Sequence, residues 1–361
     1  MNLSWPVIYL GIFVEALIMS LLLTPRSETI GRKLGLLDRP GKAKIHRETK
    51  ARSGGLAIFA AFMITFLTGL ALAFILSQKE GMLTASVSGL LKNIPHIAPK
   101  IIGLTVGAVF IFAVGVIDDR LTLGPWTKLI CQILSAIPLI VVGIRIEMFL
   151  PFWVGAVLTV FWVVLLTNSL NFLDNMDGLS SGIAVICSLI LAIVSWRAGD
   201  RFVTALIFAF SGAIIGFWYF NFIKSRLFMG DGGSLFIGYM LGAMTIMATY
   251  YDRGVPTGLP VLTPIIILGV PLFDTFTVLL IRFREGRPLM QGDTNHFSHR
   301  LVQLGMSRKQ AVVFIYFVTL CVGLTSLPLA RLALVPALIQ TALVVCWFVI
   351  IFLLERAAKK G

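Results

Sequence analysis

Eleven stretches of this chain are apolar over roughly the 20 residues that an α-helix needs to cross about 30 Å of hydrocarbon. They are 5–25, 54–76, 101–117, 127–144, 151–168, 178–196, 202–220, 234–251, 260–281, 311–329 and 333–354. Only Ala330, Arg331 and Leu332 divide the last pair. Apolar runs of that length read as membrane-spanning helices. The expected fold is all-α: a polytopic integral membrane protein of about eleven transmembrane helices.

Composition agrees. Hydrophobic residues make up 58% of the 361 and charged residues 13%, against about 25% charged in an ordinary soluble domain. With a mean hydropathy of +0.94, one soluble core could not hide so much apolar surface. The same figures exclude a disordered chain, a collagen and a coiled coil. Cys131, Cys187, Cys321 and Cys346 lie in apolar runs without paired spacing, so they read as small hydrophobes. No Lys or Arg precedes Arg26, so the first run reads as a retained span rather than a cleaved leader.

The net charge of +13 would suggest nucleic acid in a soluble protein. Here it follows the positive-inside bias, and no nucleic-acid partner is expected. All but eight of the 30 Lys and Arg fall with loops 26–53, 118–126, 169–177, 221–233, 282–310 and the tail. The exceptions are Lys79, Lys92, Lys100, Arg145, Arg197, Arg201, Arg253 and Arg331. The basic side is expected to be cytoplasmic, which puts the N-terminus outside and the C-terminus inside. Residues 1–361 then form a single transmembrane domain whose cytoplasmic loops build the site.

The polar chemistry sorts the same way. Asp118, Asp119, Asn168, Asn171, Asp174, Asp177, Asn221, Asp231, Asp293, His296 and His299 all fall on the basic side. A transporter would place such groups near the midplane, often within broken helices. Only Glu15 and Asp274 lie well inside apolar runs, and each needs a polar partner or a proton. A site facing the cytoplasm therefore fits better than a transmembrane path.

Several constellations carry the chemistry. Asp118 and Asp119 end an apolar run. Helical neighbours point about 100° apart, so one can face a cation or substrate while the protein holds the other. Asn168, Asn171, Asp174 and Asp177 recur every three residues. On a helix they would form a ridge of amides and carboxylates, or else an interhelical polar seam. Phe228-Met229-Gly230-Asp231-Gly232-Gly233-Ser234 precedes a span. Its glycines permit close backbone approach, and Asp231 suits Mg²⁺ as a hard ligand. His296, His299 and Arg300 would make one cationic helix face able to neutralise a pyrophosphate. Zinc is the alternative there, but no third His or Cys stands beside the pair. The first basic loop holds Lys44, His46 and Arg52, and ends in Gly54-Gly55.

In this order the motifs resemble those of the polyprenyl-phosphate N-acetylhexosamine-1-phosphate transferases of glycosyltransferase family 4. That family includes the starters of O-antigen, enterobacterial common antigen and wall teichoic acid, with phospho-MurNAc-pentapeptide translocase as a sister branch. The markers are Asp38-x-Pro40 with Lys44-x-His46, Arg52-x-Gly54-Gly55, Asp118-Asp119, Asn171-x-x-Asp174-x-x-Asp177-Gly178, Phe228-Met229-Gly230-Asp231-x-Gly233-Ser234 and Asp293-x-x-His296-x-x-His299-Arg300. The resemblance covers nearly the whole chain, from about residue 35 to 325. Two departures stand out: Ser298 replaces the middle His of His-x-His-His, and Lys224-Ser225 replaces Pro-Ala.

The resemblance implies transfer of a sugar-1-phosphate, GlcNAc-1-phosphate foremost, from a UDP-sugar to undecaprenyl phosphate at the cytoplasmic face of a bacterial inner membrane. UMP is released and cell-envelope polysaccharide synthesis begins. Phospho-MurNAc-pentapeptide transfer is the alternative. It further implies Mg²⁺, with Mn²⁺ as a substitute, held by Asn171 and Asp231. Asp118 and Asp119 would act on the lipid phosphate. Asp174, Asp177, Asn221 and Arg52 would bind nucleotide and sugar. His296, His299, Arg300, Lys44 and His46 would bind phosphates. Family members can also form homodimers.

Overall fold

The computed structural model describes residues 4–38, 49–77, 94–147, 150–250, 259–288 and 295–358. Every apolar run lies on helix. The elements are α1 (Trp5–Leu34), α2 (Gly54–Ser77), α3 (Ile94–Leu121), α4 (Pro125–Val141), α5 (Phe152–Phe172), α6 (Leu179–Arg197), α7 (Arg201–Trp218), α8 (Asp231–Met247), α9 (Thr263–Ile267), α10 (Gly269–Arg284), α11 (Phe297–Gln303), α12 (Arg308–Leu324) and α13 (Leu334–Ala358). The sheet among the described residues is one short antiparallel pair, β1 (Leu37–Asp38) and β2 (Lys50–Ala51), with Asp38 opposite Lys50. The chain is an all-α polytopic membrane protein.

Seven of the described helices are long and apolar enough to cross a membrane, or eight if the bent pair around Leu268 is one span. That is fewer than the eleven expected from hydropathy. The helices α4, α8 and α12 have 17 residues each, about 25 Å at 1.5 Å per residue. The run 260–281 is not one rod: its two parts meet at 68°. Pro271 accounts for the break, because it lacks an N–H and its ring crowds the carbonyl of Ile267 four residues back.

The core is built around α8, buried without interruption from Gly232 to Thr245. The neighbouring helices α2, α3 and α5 pack on it. Small residues allow that closeness. A Cβ on Gly115 of α3 would meet the backbone of Asp231 and Gly232, and one on Gly238 would meet the backbone of Leu166 and Thr167. Without a hydrophobic drive between helices in lipid, such tight backbone contact is a main source of association. On the perimeter, Leu72, Trp153, Val157 and Phe283 are exposed. In water each such side chain would forgo about 1.5–3 kcal/mol of burial. Against acyl chains it forgoes almost none.

Candidate active site

The Gly-Asp-Gly-Gly-Ser turn is held from two sides. Gly230 takes a left-handed φ of +76°, open to glycine at little cost. That turn aims the first amides of α8 at α3. The Asp119 carboxylate receives them: Asp231 N–H at 2.9 Å and Gly232 N–H at 3.0 Å. Asp119 is thus the cap of α8, supplied by another helix, and it complements the positive end of the helix dipole. From the other side, Gly54 and Gly55 donate to the carbonyls of Phe228 and Met229 at 3.0 and 2.8 Å. The Gly-Gly pair therefore serves close backbone packing, with Gly55 lying against Gly232 and Gly233.

Asp118, one residue earlier, points elsewhere. One oxygen accepts the Leu123 N–H at 2.6 Å and the other pairs with Lys128. Lys128 also reaches Asp231 at 2.8 Å, and so bridges the two motifs. The two adjacent carboxylates thus point to different partners. Asn171 donates to Asp231 at 3.0 Å and to Ser234 at 2.8 Å, so both bonds use its NH₂ group. Arg52 lies 4.0 Å from Asp119 and 3.9 Å from Asp38.

The three-residue repeat stays on one helix only as far as Asn171. From Leu173 the chain turns, and Gly178 is left-handed at φ +81°. Asn168 belongs to a polar seam: its amide exchanges two hydrogen bonds with Gln132 of α4, at 2.7 and 3.2 Å. Asp174 follows Asn171 in the turn. Burial and then the Asp231 charge raise its pKa well above the ordinary carboxylate range, with Arg52 pulling the other way. Asp177 accepts from the Ser225 hydroxyl, and Lys50 lies 3.7 Å from it.

A cavity of about 740 Å³ opens over these groups. Arg52, Asn171, Asp174, Asp177, Asn221, Asp231 and His299 line it. Asp118 and Asp119 support its floor without lining it. Asn221 faces it but is engaged as a brace, accepting from Gly178 N–H at 2.6 Å and donating to the Leu227 carbonyl at 2.9 Å.

The expected cationic face of His296, His299 and Arg300 does not form as one surface. His296 precedes α11 and is buried against Asp274 at 2.8 Å. Arg300 is buried and bonds the Asn295 carbonyl and Thr277. Only His299 of the three lines the cavity. The reason is that positions 296 and 300 share one side, and that side packs on α10. Lys44, His46 and Asp293 lie outside the described residues.

Sequence reading missed Lys128, as well as Lys50, Ser225, Arg308 and Lys309 on the cavity wall. Lys128 carried a usable signal: a lone cation at the start of an apolar helix needs an anionic partner. A second hollow, apolar and about 380 Å³, starts beside it. Leu129 and Ile133 of α4 form one wall, and Val157, Val160 and Phe161 of α5 form the other.

The oxygen-rich donor set fits a hard divalent cation. Asp118 and Asp231 share the one ammonium of Lys128, while Lys50, Arg52, Arg308 and Lys309 stand on the cavity wall. Among the described residues no three His, Cys, Asp or Glu side chains converge as a metal site. A cation here would have one carboxylate and one amide from the protein, with substrate phosphates and water completing the shell, as Mg²⁺ commonly does.

The profile of Glycosyl transferase family 4 matches residues 101–249, which include Asp118, Asp119, the Asn171–Asp177 turn and Asp231. A probable undecaprenyl-phosphate N-acetylglucosaminyl 1-phosphate transferase of Bacillus subtilis is 30% identical over 97% of this chain and 91% of its own length. The chain belongs to glycosyl transferase family 4. Its resemblance extends to a decaprenyl-phosphate N-acetylglucosaminephosphotransferase of Mycolicibacterium smegmatis, 31% identical over 79% of this chain and 73% of that one. An undecaprenyl-phosphate alpha-N-acetylglucosaminyl 1-phosphate transferase of Yersinia pestis is 26% identical over 98% and 90%. This family member therefore has its polar cavity within a membrane-spanning bundle.

Proposed function

We propose that this protein transfers N-acetylglucosamine-1-phosphate from UDP-N-acetylglucosamine to a polyprenyl phosphate in a bacterial inner membrane, releasing UMP on the cytoplasmic side. The relatives' names support the reaction. The observation that carries the reading is one of adjacency. Lys128 reaches Asp231 on the polar cavity, and the next residue, Leu129, lines an apolar hollow on α4 and α5. One substrate is lipid and the other is an anionic nucleotide, and this junction suits both.

The acceptor phosphate is mostly dianionic near neutral pH, since its second pKa is about 6. It needs little deprotonation, so positioning and charge neutralisation dominate the rate. Lys128 is placed to draw the acceptor phosphate to the cavity from the apolar side, with Asp118 holding its ammonium. An acceptor oxygen attacks the β-phosphorus of the donor, and the bond from that phosphorus to the bridging oxygen breaks. UMP leaves with the bridging oxygen. Arg52 and His299 offer positive charge to the donor phosphates, while Asp174 and Asp177 supply acceptors for its nucleoside or sugar. Mg²⁺, held by Asn171 and Asp231, would neutralise the pyrophosphate and the departing UMP.

The test is UMP release by the purified protein with undecaprenyl phosphate, Mg²⁺ and a panel of UDP-sugars. Release with UDP-N-acetylglucosamine supports the proposal. Release with another donor alone redirects the sugar assignment. No release from any donor, with the reverse reaction also silent, overturns the transferase reading.

A further inference from the structure

Asp274 is an ionisable group that the transferase reading leaves without a task. It lies on α10 just past the break at Leu268 and is 0% exposed. Both of its oxygens are committed to one place. The Phe297 N–H donates to Oδ1 at 2.6 Å, and His296 Nδ1 meets Oδ2 at 2.8 Å. One turn along α10, Thr277 receives Arg300 at 3.3 Å. From the opposite side, the Ser298 hydroxyl donates to Asn175 Oδ1 at 2.7 Å, in the turn between Asp174 and Asp177.

Residues 296, 297, 298 and 300 are thereby fastened to α10 or to the carboxylate-bearing turn. His299, in their midst, is directed to the cavity wall. A helix of seven residues has no stability of its own in isolation. Its position is set by such anchors, and Asp274 supplies two of them with a buried charge-assisted acceptor.

We infer that Asp274 is a positioning residue for the transfer reaction: it fixes the start of α11 so that His299 meets the donor phosphates, with the Ser298–Asn175 bond as the second anchor. Ser298, where the family pattern has a ring, thus has its own physical task. The inference rests on the transferase reading and on His299 as a donor contact.

A double-mutant cycle on kcat/KM for UDP-N-acetylglucosamine tests it, using the full chain in lipid nanodiscs. Asp274→Asn keeps the shape but loses one charged acceptor, and is expected to lower kcat/KM by about tenfold, the scale of one hydrogen bond to a charged group. His299→Ala is expected to lower it at least as much. If Asp274 acts through His299, adding Asp274→Asn to His299→Ala changes nothing further. Losses that multiply overturn the inference while leaving the transferase reading intact. A wild type silent with every UDP-sugar overturns the transferase reading and this inference with it. Should Asp274→Asn fail to fold, Ser298→Ala goes through the same cycle. The expected sign is again a loss that vanishes in the His299→Ala background, and a multiplying loss refutes the proposal.

Discussion

Replacing Asp119 by Asn separates a residue that holds the site from one that does chemistry. The Asp119 carboxylate accepts two backbone N–H groups from the first turn of α8, at 2.9 and 3.0 Å. An Asn in the same rotamer can accept only one. Its NH₂ then faces the second amide, donor against donor. A hydrogen bond to a charged acceptor contributes about 1.5–3 kcal/mol, and a carboxylate at a helix N-terminus adds about 0.3–1 kcal/mol. The side chain is only 2% exposed, so water cannot replace the lost acceptor. We expect Asp119→Asn to destabilise the protein by about 2–4 kcal/mol on those figures. Turnover should fall by about a hundredfold, because a shift of α8 misplaces Asp231. Asp118→Asn is the control. It leaves Lys128 paired with Asp231 at 2.8 Å, so turnover should fall with little loss of stability. The assay couples UMP release to thermal unfolding in the same detergent. An Asp119→Asn protein that unfolds like the wild type yet has lost turnover would refute the capping argument and return Asp119 to the chemistry.

Three further outcomes follow from the same geometry. Asp231→Asn should abolish turnover and flatten its dependence on Mg²⁺ concentration; near-normal activity would sink the metal assignment. Gly55→Ala places a methyl against the backbone of Gly232 and Gly233 and should cost about 1–3 kcal/mol, the range for overpacking, read as a lower unfolding temperature; an unchanged temperature would show that α2 and α8 can part. Val157→Trp fills the apolar hollow beside Lys128 and should raise KM for polyprenyl phosphate severalfold, the effect of losing a few buried methylenes, while KM for the nucleotide sugar stays put; equal effects on both would remove the hollow as the acceptor's seat.

Hydropathy alone located the helices because burial in lipid demands long unbroken apolar runs, and 5–25, 151–168 and 178–196 lie almost wholly within α1, α5 and α6. It could not locate the break at Leu268. Pro271 is visible in the sequence, but whether a proline kinks a helix or ends it depends on what packs across the gap. Asp118, Asp119, Asn171, Asp174 and Asp231 were legible as candidate-site residues because they gather in short motifs on the basic side of the apolar runs. Their division into cap, cation partner and cavity lining was not, because it depends on which way α8 enters the bundle. His296 and Arg300 misled for a related reason. The spacing of four does put both on one side, but that side packs on Asp274 and Thr277 of α10 and leaves only His299 for the cavity. Lys128 looked like one more positive-inside charge until Asp118 and Asp231 were found on either side of it.

The placement of these carboxylates has a consequence for how the site can work. Asp119 is engaged by α8, and Asp118 and Asp231 share one ammonium. Asp174 is left with Arg52 as its favourable charge, against Asp231, Asp119 and Asp177. Removing charged groups from water is costly unless each is matched, and here Asp118 and Asp231 have one ammonium between them. Two carboxylates that share one ammonium favour whatever brings positive charge along with phosphate. In the proposed reaction that is the cation with the nucleotide sugar, so donor and metal should bind with positive coupling, each raising the affinity of the other. Lys128 then has two roles that compete. While Asp231 holds it, the ammonium neutralises that carboxylate; a cation held by Asp231 would leave the ammonium to Asp118 and the acceptor phosphate. The order of binding that follows places the donor first and the lipid second.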